Sequence, residues 1–290
     1  MFPIMPNRNP PMRCHPKNAP RSWLVTCAVP VLLLAALLLG VGAVCAVEVD
    51  EAAVRLKVEA YRYYYGKGRP LNRARALQLY RQAAARGDAE AQFIAGGMLY
   101  QGQGIDPDRR NGFKWLLKAA EQGKSSPESL NIIGGHYLRG RFVPQNYLEA
   151  KKWLTEAAAQ GNISAQNDLA YLHYYGLGGE RDYGKALELY EQAALQGDVL
   201  AQANLGLMHA TGTGAATDRA LGYAWYSLAA SRGNTMASLN RSALMAEMSW
   251  EELNRAQALS VELYRRVEQM IRTTPKAKEA IEPEPEESDG

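Results

Sequence analysis

Small and apolar residues return along this 290-residue chain at a fixed interval, and glycine separates the blocks. Five turns of the form G-x-G, or close to it, stand at 66–68, 102–104, 140–142, 176–178 and 212–214. Their first glycines are 36, 38, 36 and 36 residues apart. The register extends beyond the turns. Ala91, Ala165 and Ala201 each lie 11 residues before a turn glycine, and Gly96, Gly134 and Gly206 lie 6 before. Ala-Ala pairs at 83–84, 119–120, 157–158, 193–194 and 229–230 precede Gly87, Gly123, Gly161, Gly197 and Gly233. A period in this range is the mark of a stacked repeat, in which no single unit buries its own apolar face.

Each unit reads as two helices. Asn72, Asp108, Asn146, Asp182 and Asp218 follow the turns, and such side chains accept from the free N–H groups of a first helical turn. That cap opens a second helix, which closes at the glycine after the Ala-Ala pair, where a left-handed residue carries no Cβ penalty. Asp88, Asn162, Asp198 and Asn234 come next and open the following first helix. The 38-residue interval inserts two residues and uses Ser126-Pro127, a cap followed by an N1 proline. Trp115, Trp153 and Trp225 recur at one position, with Leu79 and Leu189 in the other two units, to fill space the small residues leave. Past Gly233, residues 235–246 suit another first helix, and Ser249-Trp250-Glu251-Glu252 is a capping box opening a last one.

The run A-Q-x-x-L-G-x-x-H-x-x-G-x-G at 201–214, completed by Asp218, Trp225-Tyr226, Ala229-Ala230 and Gly233, resembles the Sel1-like repeat, a relative of the tetratricopeptide repeat. The resemblance covers about residues 52–272. It implies an all-α fold, a right-handed solenoid of five units (52–233) with a C-terminal helical cap (234–273). Unit one departs from the pattern at Arg55 and Glu59, and unit three has Phe142 in place of its second turn glycine.

Charge and targeting signals change the picture of the ends. The formal charge is +3, but residues 1–46 hold Arg8, Arg13, Lys17 and Arg21 and no acid, which leaves 29 basic against 30 acidic residues elsewhere. That balance lacks the footprint of a nucleic-acid binder. The basic stretch, the apolar run at 31–40 and Val44-Cys45-Ala46 read as a signal peptide cleaved before Val47. The 25 uncharged residues from Trp23 to Val47 also suffice for an uncleaved inner-membrane anchor. Cys14, Cys27 and Cys45 all fall in this segment, so the mature chain has no disulfide, thiolate or cysteine ligand to offer. From Pro275 the chain has six acidic and two basic residues and reads as a disordered acidic tail, 274–290.

Candidate chemistry is sparse. Residues 179–186, GERDYGKA, come within one residue of a phosphate-binding loop. Such a loop needs a preceding strand and a Ser or Thr where Ala186 stands, so no nucleotide is expected. His173 and His209 are 36 apart, at a repeat position that holds Tyr63 and Tyr137 elsewhere. Packed imidazoles, not metal ligands, are the reading, and no cofactor is expected. No serine has lysine three residues on, and no carboxylate pair stands out as catalytic.

The tyrosines are more informative. Six, nine and ten residues after the Ala anchor, positions the repeat does not reserve for packing, unit one has Tyr61, Tyr64 and Tyr65, and unit four has Tyr171, Tyr174 and Tyr175. Unit two adds Tyr100. First helices line the inner face of such solenoids, and tyrosine is favoured at binding surfaces, so these seven are the expected partner-binding residues. The resemblance implies a non-catalytic protein-binding role in the periplasm, as a scaffold or adaptor for a protein or peptide of the cell envelope. It also admits an immunity protein against a secreted toxin, a type VI lipase effector, with an envelope hydrolase as the third class.

Overall fold

The computed structural model describes residues 50–273, and every element among them is helical or a turn. The expected signal peptide or anchor and the acidic tail lie outside the described residues. Five hairpins follow one another: α1 (Glu51–Tyr65) with α2 (Arg73–Ala85), α3 (Ala89–Gln101) with α4 (Arg109–Glu121), α5 (Pro127–Arg139) with α6 (Tyr147–Ala159), α7 (Ile163–Tyr175) with α8 (Tyr183–Leu195), and α9 (Val199–Thr211) with α10 (Arg219–Ser231). Each first helix packs on its own second helix, and each second helix on the next first helix. The described chain is therefore an all-α solenoid, followed by α11 (Thr235–Met245) and α12 (Trp250–Thr273).

The caps form where the residue types require them. Asn72, Asp108, Asn146, Asp182 and Asp218 accept from N–H groups of the second helices. Asp88, Asn162, Asp198 and Asn234 do the same for the first helices. Each such cap contributes about 1 kcal/mol. Ser126 and Ser129 form a reciprocal capping box ahead of Pro127. The glycines after the Ala-Ala pairs all have positive φ, between 81° at Gly123 and 95° at Gly87.

Small residues set how closely the paired helices approach. Gly112 of α4 lies against the backbone of Tyr100 and Gly96, and Gly222 of α10 against Ala210 and Gly206. The equivalent pair is glycine and alanine in unit three (Gly134, Ala150) and two alanines in units one and four (Ala60, Ala76; Ala170, Ala186), with all of these alanines fully buried. Leu116, Leu154 and Tyr226 fill the space beside the first-helix glycines. Neighbouring units are also tied by side chains. Gln92 and Gln202 each donate to the carbonyl of the last Ala of the preceding pair, Ala84 and Ala194, at 3.2 and 3.0 Å.

The end of the array breaks the rule. The capping box at Ser249 is present, with Ser249 N donating to Glu252 Oε2 and Glu252 N to Ser249 Oγ. Yet α12 packs on α10 and reaches α8 instead of pairing with α11. It runs along α10, held by Arg255 to Asp218 at one end (2.6 Å) and Glu268 to Arg232 at the other (2.9 Å). No described helix is long and apolar enough to cross a membrane.

Candidate functional site

The sites of the seven tyrosines follow from their register. In units one and four the three rings form the same cluster. Tyr61 and Tyr65 lie 4.7 Å apart between ring centres and Tyr64 and Tyr65 4.9 Å; Tyr171 and Tyr175 lie 4.7 Å apart, and Tyr174 and Tyr175 5.0 Å. The expectation that these positions are spared from packing fails for Tyr61, Tyr64 and Tyr171, which are buried. Tyr61, the sixth residue after the anchor, packs within its own unit, against the Tyr65 ring and accepting from Lys67 Nζ at 2.9 Å, and Tyr171 packs on Tyr175 in the same way. Units two and three carry Gly97 and Gly135 at that position.

The ninth residue is a tie between units. Tyr64 donates its hydroxyl to Gln103 Oε1 at 2.7 Å, and Gln103 is the middle residue of the next G-x-G turn. Tyr174 bonds to the side chain of Thr213, the middle residue of a turn one unit on. The Tyr100 hydroxyl meets His136 Nε2 of the following unit at 3.0 Å. Burial raises the pKa of Tyr100 against the pull of Arg109, Arg139 and Arg141.

The tenth residue is the displayed one. Tyr65, Gln101, Arg139, Tyr175 and Thr211 occupy it, each exposed or half-buried at the end of a first helix. Tyr65 is 37% exposed. Tyr175 is half-buried, and burial, then the neighbouring Tyr171 and Tyr174, push its pKa up to about 12. It remains a neutral hydrogen-bonding phenol at physiological pH. Arg139 is held by Asp168 of the next first helix, with Nη1 to Oδ2 at 3.0 Å. It lies across Gly135, in the space a side chain there would occupy. Asp168 also accepts from Asn167 at 3.3 Å. The row thus offers two phenols, an amide, a fixed guanidinium and a hydroxyl, one per repeat.

The sequence reading missed the Arg139–Asp168 pair. Its signal was available: Asp168 stands where units two and three have Ile94 and Ile132, a carboxylate at an apolar position of the repeat. The reading also passed over what Phe142 does. Phe142 keeps the left-handed backbone of the glycine it replaces, with φ 65°, the one non-glycine residue among those described to do so. That conformation costs a residue with a Cβ about 1–2 kcal/mol. The ring stacks on His136, 4.6 Å away at an interplanar angle of 28°. Burial, then the charge of Arg139, lowers the His136 pKa to about 4. His173 and His209 are half-buried with pKa values lowered chiefly by burial. Among the described residues, no group of three or more His, Cys, Asp or Glu is placed to hold a metal ion.

The Sel1 repeat family model matches residues 60–88, 89–124, 127–162, 163–198 and 199–234, in the register of the five hairpins. No curated protein matches the chain. Among solved structures, the chain is similar to a protective antigen of uropathogenic Escherichia coli with an SLR fold, at 30% identity over 75% of this chain with a TM-score of 0.54. It spans 46% of that protein's length. A Sel1 repeat protein from Oxalobacter formigenes is 29% identical, over 72% of this chain and 87% of its own, with a TM-score of 0.48. An immunity protein from Pseudomonas aeruginosa is 18% identical, over 77% of this chain and 84% of its own, with a TM-score of 0.35.

Proposed function

The chain belongs to the Sel1 repeat family, whose repeats mediate protein–protein interaction, and from that premise we propose that it is a non-catalytic scaffold or adaptor of the bacterial cell envelope. Its partner is a protein or peptide that lies along the ends of the first helices. The observation that carries this reading is the row Tyr65, Gln101, Arg139, Tyr175 and Thr211. The sixth and ninth positions serve packing through the tyrosines of units one and four. The tenth presents one polar or aromatic group per unit. Phenols provide contact area with a polar tip and lose little conformational freedom on binding. The periplasmic location rests on the basic stretch and the Val44-Cys45-Ala46 sequence ahead of Val47.

The test is capture of envelope proteins by the mature chain and by Tyr65→Ala with Tyr175→Ala. Aromatic hot spots cost about 2 kcal/mol on truncation, roughly thirtyfold in affinity. The double variant should keep its helical circular dichroism and lose that factor for a partner identified with the native chain. Unchanged affinity removes this row from the interface, and hydrolytic activity of the purified chain overturns the non-catalytic reading. A mature mass that still includes residues 1–46 replaces a free periplasmic protein with an anchored one.

A further inference from the structure

The two ends of the array are finished differently. At the first, Arg55 and Glu59 stand at the repeat positions where Ala91 and Ala95 are fully buried in unit two. That end is polar, as the exposed end of a repeat array has to be. α12 closes the other end and does not follow this rule. Ala256, Leu263 and Val267 are buried where it lies on α10. At 3.6 residues per turn, Trp250, Val261 and Tyr264 form a second apolar stripe about a third of a turn round from that face. They are 73%, 52% and 51% exposed. A tryptophan so displayed does not serve the packing of its own chain.

The other flank of α12 is charged. Glu251, Arg255, Glu262 and Arg266 lie along it, all exposed, about a third of a turn round from the buried face in the opposite sense. Arg255 also reaches back to Asp218 of α10. Along the chain the signs run minus, plus, minus, plus, at spacings of four, seven and four residues. Read backwards they run plus, minus, plus, minus, at the same spacings. Between the two stripes, on the line that points straight away from α10, stand Asn254, Ala258 and Arg265. Ala258, the smallest of the three, lies near the midpoint of both stripes. A helix laid along that line touches both.

We propose that this face is the interface of a homodimer, in which α12 packs antiparallel on α12 of a second copy across a two-fold axis near Ala258. In such a contact residue i meets residue j and j meets i. Trp250 of one copy then meets Tyr264 of the other, and Arg265 falls beside the same indole, whose face attracts a cation. Glu251 meets Arg266 and Arg255 meets Glu262, each twice, so all four charge contacts are attractive. A parallel pair would set each charge on its like. Aromatic side chains carry about 150–250 Å² each, so the exposed parts of the four rings supply on the order of 500 Å². With Val261 and the charged flanks the total comes to about 1,000 Å², the low end for a specific interface. The occupant is a second copy and not an unlike helix, because the order of charges reverses onto itself. This interface does not depend on the row of first-helix ends proposed for the partner.

The test is sedimentation equilibrium of the mature chain, which holds all twelve described helices. The native chain should dimerise with a Kd on the order of 10 µM, as suits an interface of this size. Glu251→Arg sets two positive pairs in the dimer, and Arg266→Glu sets two negative ones. Each variant alone should associate about tenfold more weakly. An equimolar mixture of the two, in which every altered pair is again of opposite sign, should recover the native affinity. Trp250→Ala should weaken association by about tenfold or more. All three side chains are exposed, so each variant should keep the native circular dichroism. A native chain still monomeric at about 200 µM overturns the proposal. So does association that Trp250→Ala leaves unchanged, and a mixture no tighter than its two components overturns the antiparallel pairing.

Discussion

Gly112→Ala and Gly184→Ala are the same substitution in two second helices, and the structure assigns them opposite signs. A Cβ at 112 would lie 2.6 Å from Tyr100 N, 2.8 Å from Gly96 O and 2.9 Å from Tyr100 Cα, where ordinary contact is 3.4–4 Å. All three atoms belong to the backbone of α3. No rotamer change relieves the clash, so α3 and α4 must separate by roughly 1 Å, which loosens the contact around Leu116 and Phe113 in a close-packed core. Overpacking of this kind costs about 1–3 kcal/mol. Alanine recovers up to about 1 kcal/mol of helix propensity. With the obstruction wholly backbone, the net loss is about 1–2 kcal/mol. At position 184, on the exposed first turn of α8, the nearest atom is Asp182 Oδ1 at 3.5 Å, so only the gain of about 0.4–1 kcal/mol remains. A chain of this size shifts by about 2–4 °C per kcal/mol. Thermal melts should place Gly112→Ala about 2–8 °C below the native chain and Gly184→Ala about 1–4 °C above it. Gly112→Ala melting at or above the native temperature would refute the claim that glycine there sets the helix separation.

Tyr171→Ala should unfold more easily than the native chain. Its ring is 7% exposed, and emptying such a site costs about 3–5 kcal/mol; a urea midpoint equal to that of the native chain would return Tyr171 to the surface. His136, whose folded pKa of about 4 lies below the ordinary 6.5, is neutral in the folded chain, so its unfolded form binds the extra proton between those values. Stability from this group is complete above pH 6.5 and is lost as pH falls toward 4, by up to about 3 kcal/mol. In urea titrations across that window, His136→Asn should show a shallower pH dependence than the native chain, and equal slopes would rule out the buried neutral imidazole as the cause.

What the sequence made readable, and what it hid, divides along the stack. Within a unit, each feature has a local cause: Asp182 caps because it precedes a helix, and Gly197 is left-handed because it ends one. The period of 36 carries these causes from unit to unit, so the hairpins and their register could be read without coordinates. Contacts between units have no such local signature. Tyr61 and Tyr65 are four residues apart on one helix, yet the first is buried while the second is 37% exposed. Residues four apart share one face of a helix, so spacing alone does not separate the buried ring from the displayed one. The position itself does leave a trace across units: the sixth residue after the anchor is Tyr61, Gly97, Gly135, Tyr171 and Leu207. In unit three the Arg139 guanidinium lies in the space that Gly135 leaves, and in units one and four the tyrosine itself is buried, so the position belongs to packing. The tenth position, with Tyr65, Gln101, Arg139, Tyr175 and Thr211, keeps a hydrogen-bonding group in every unit and never a small or purely apolar one. Arg139 is tied to Asp168 and Thr211 to the Leu207 carbonyl within the chain, so the proposed docking of a partner along this row rests on its two displayed phenols and its amide.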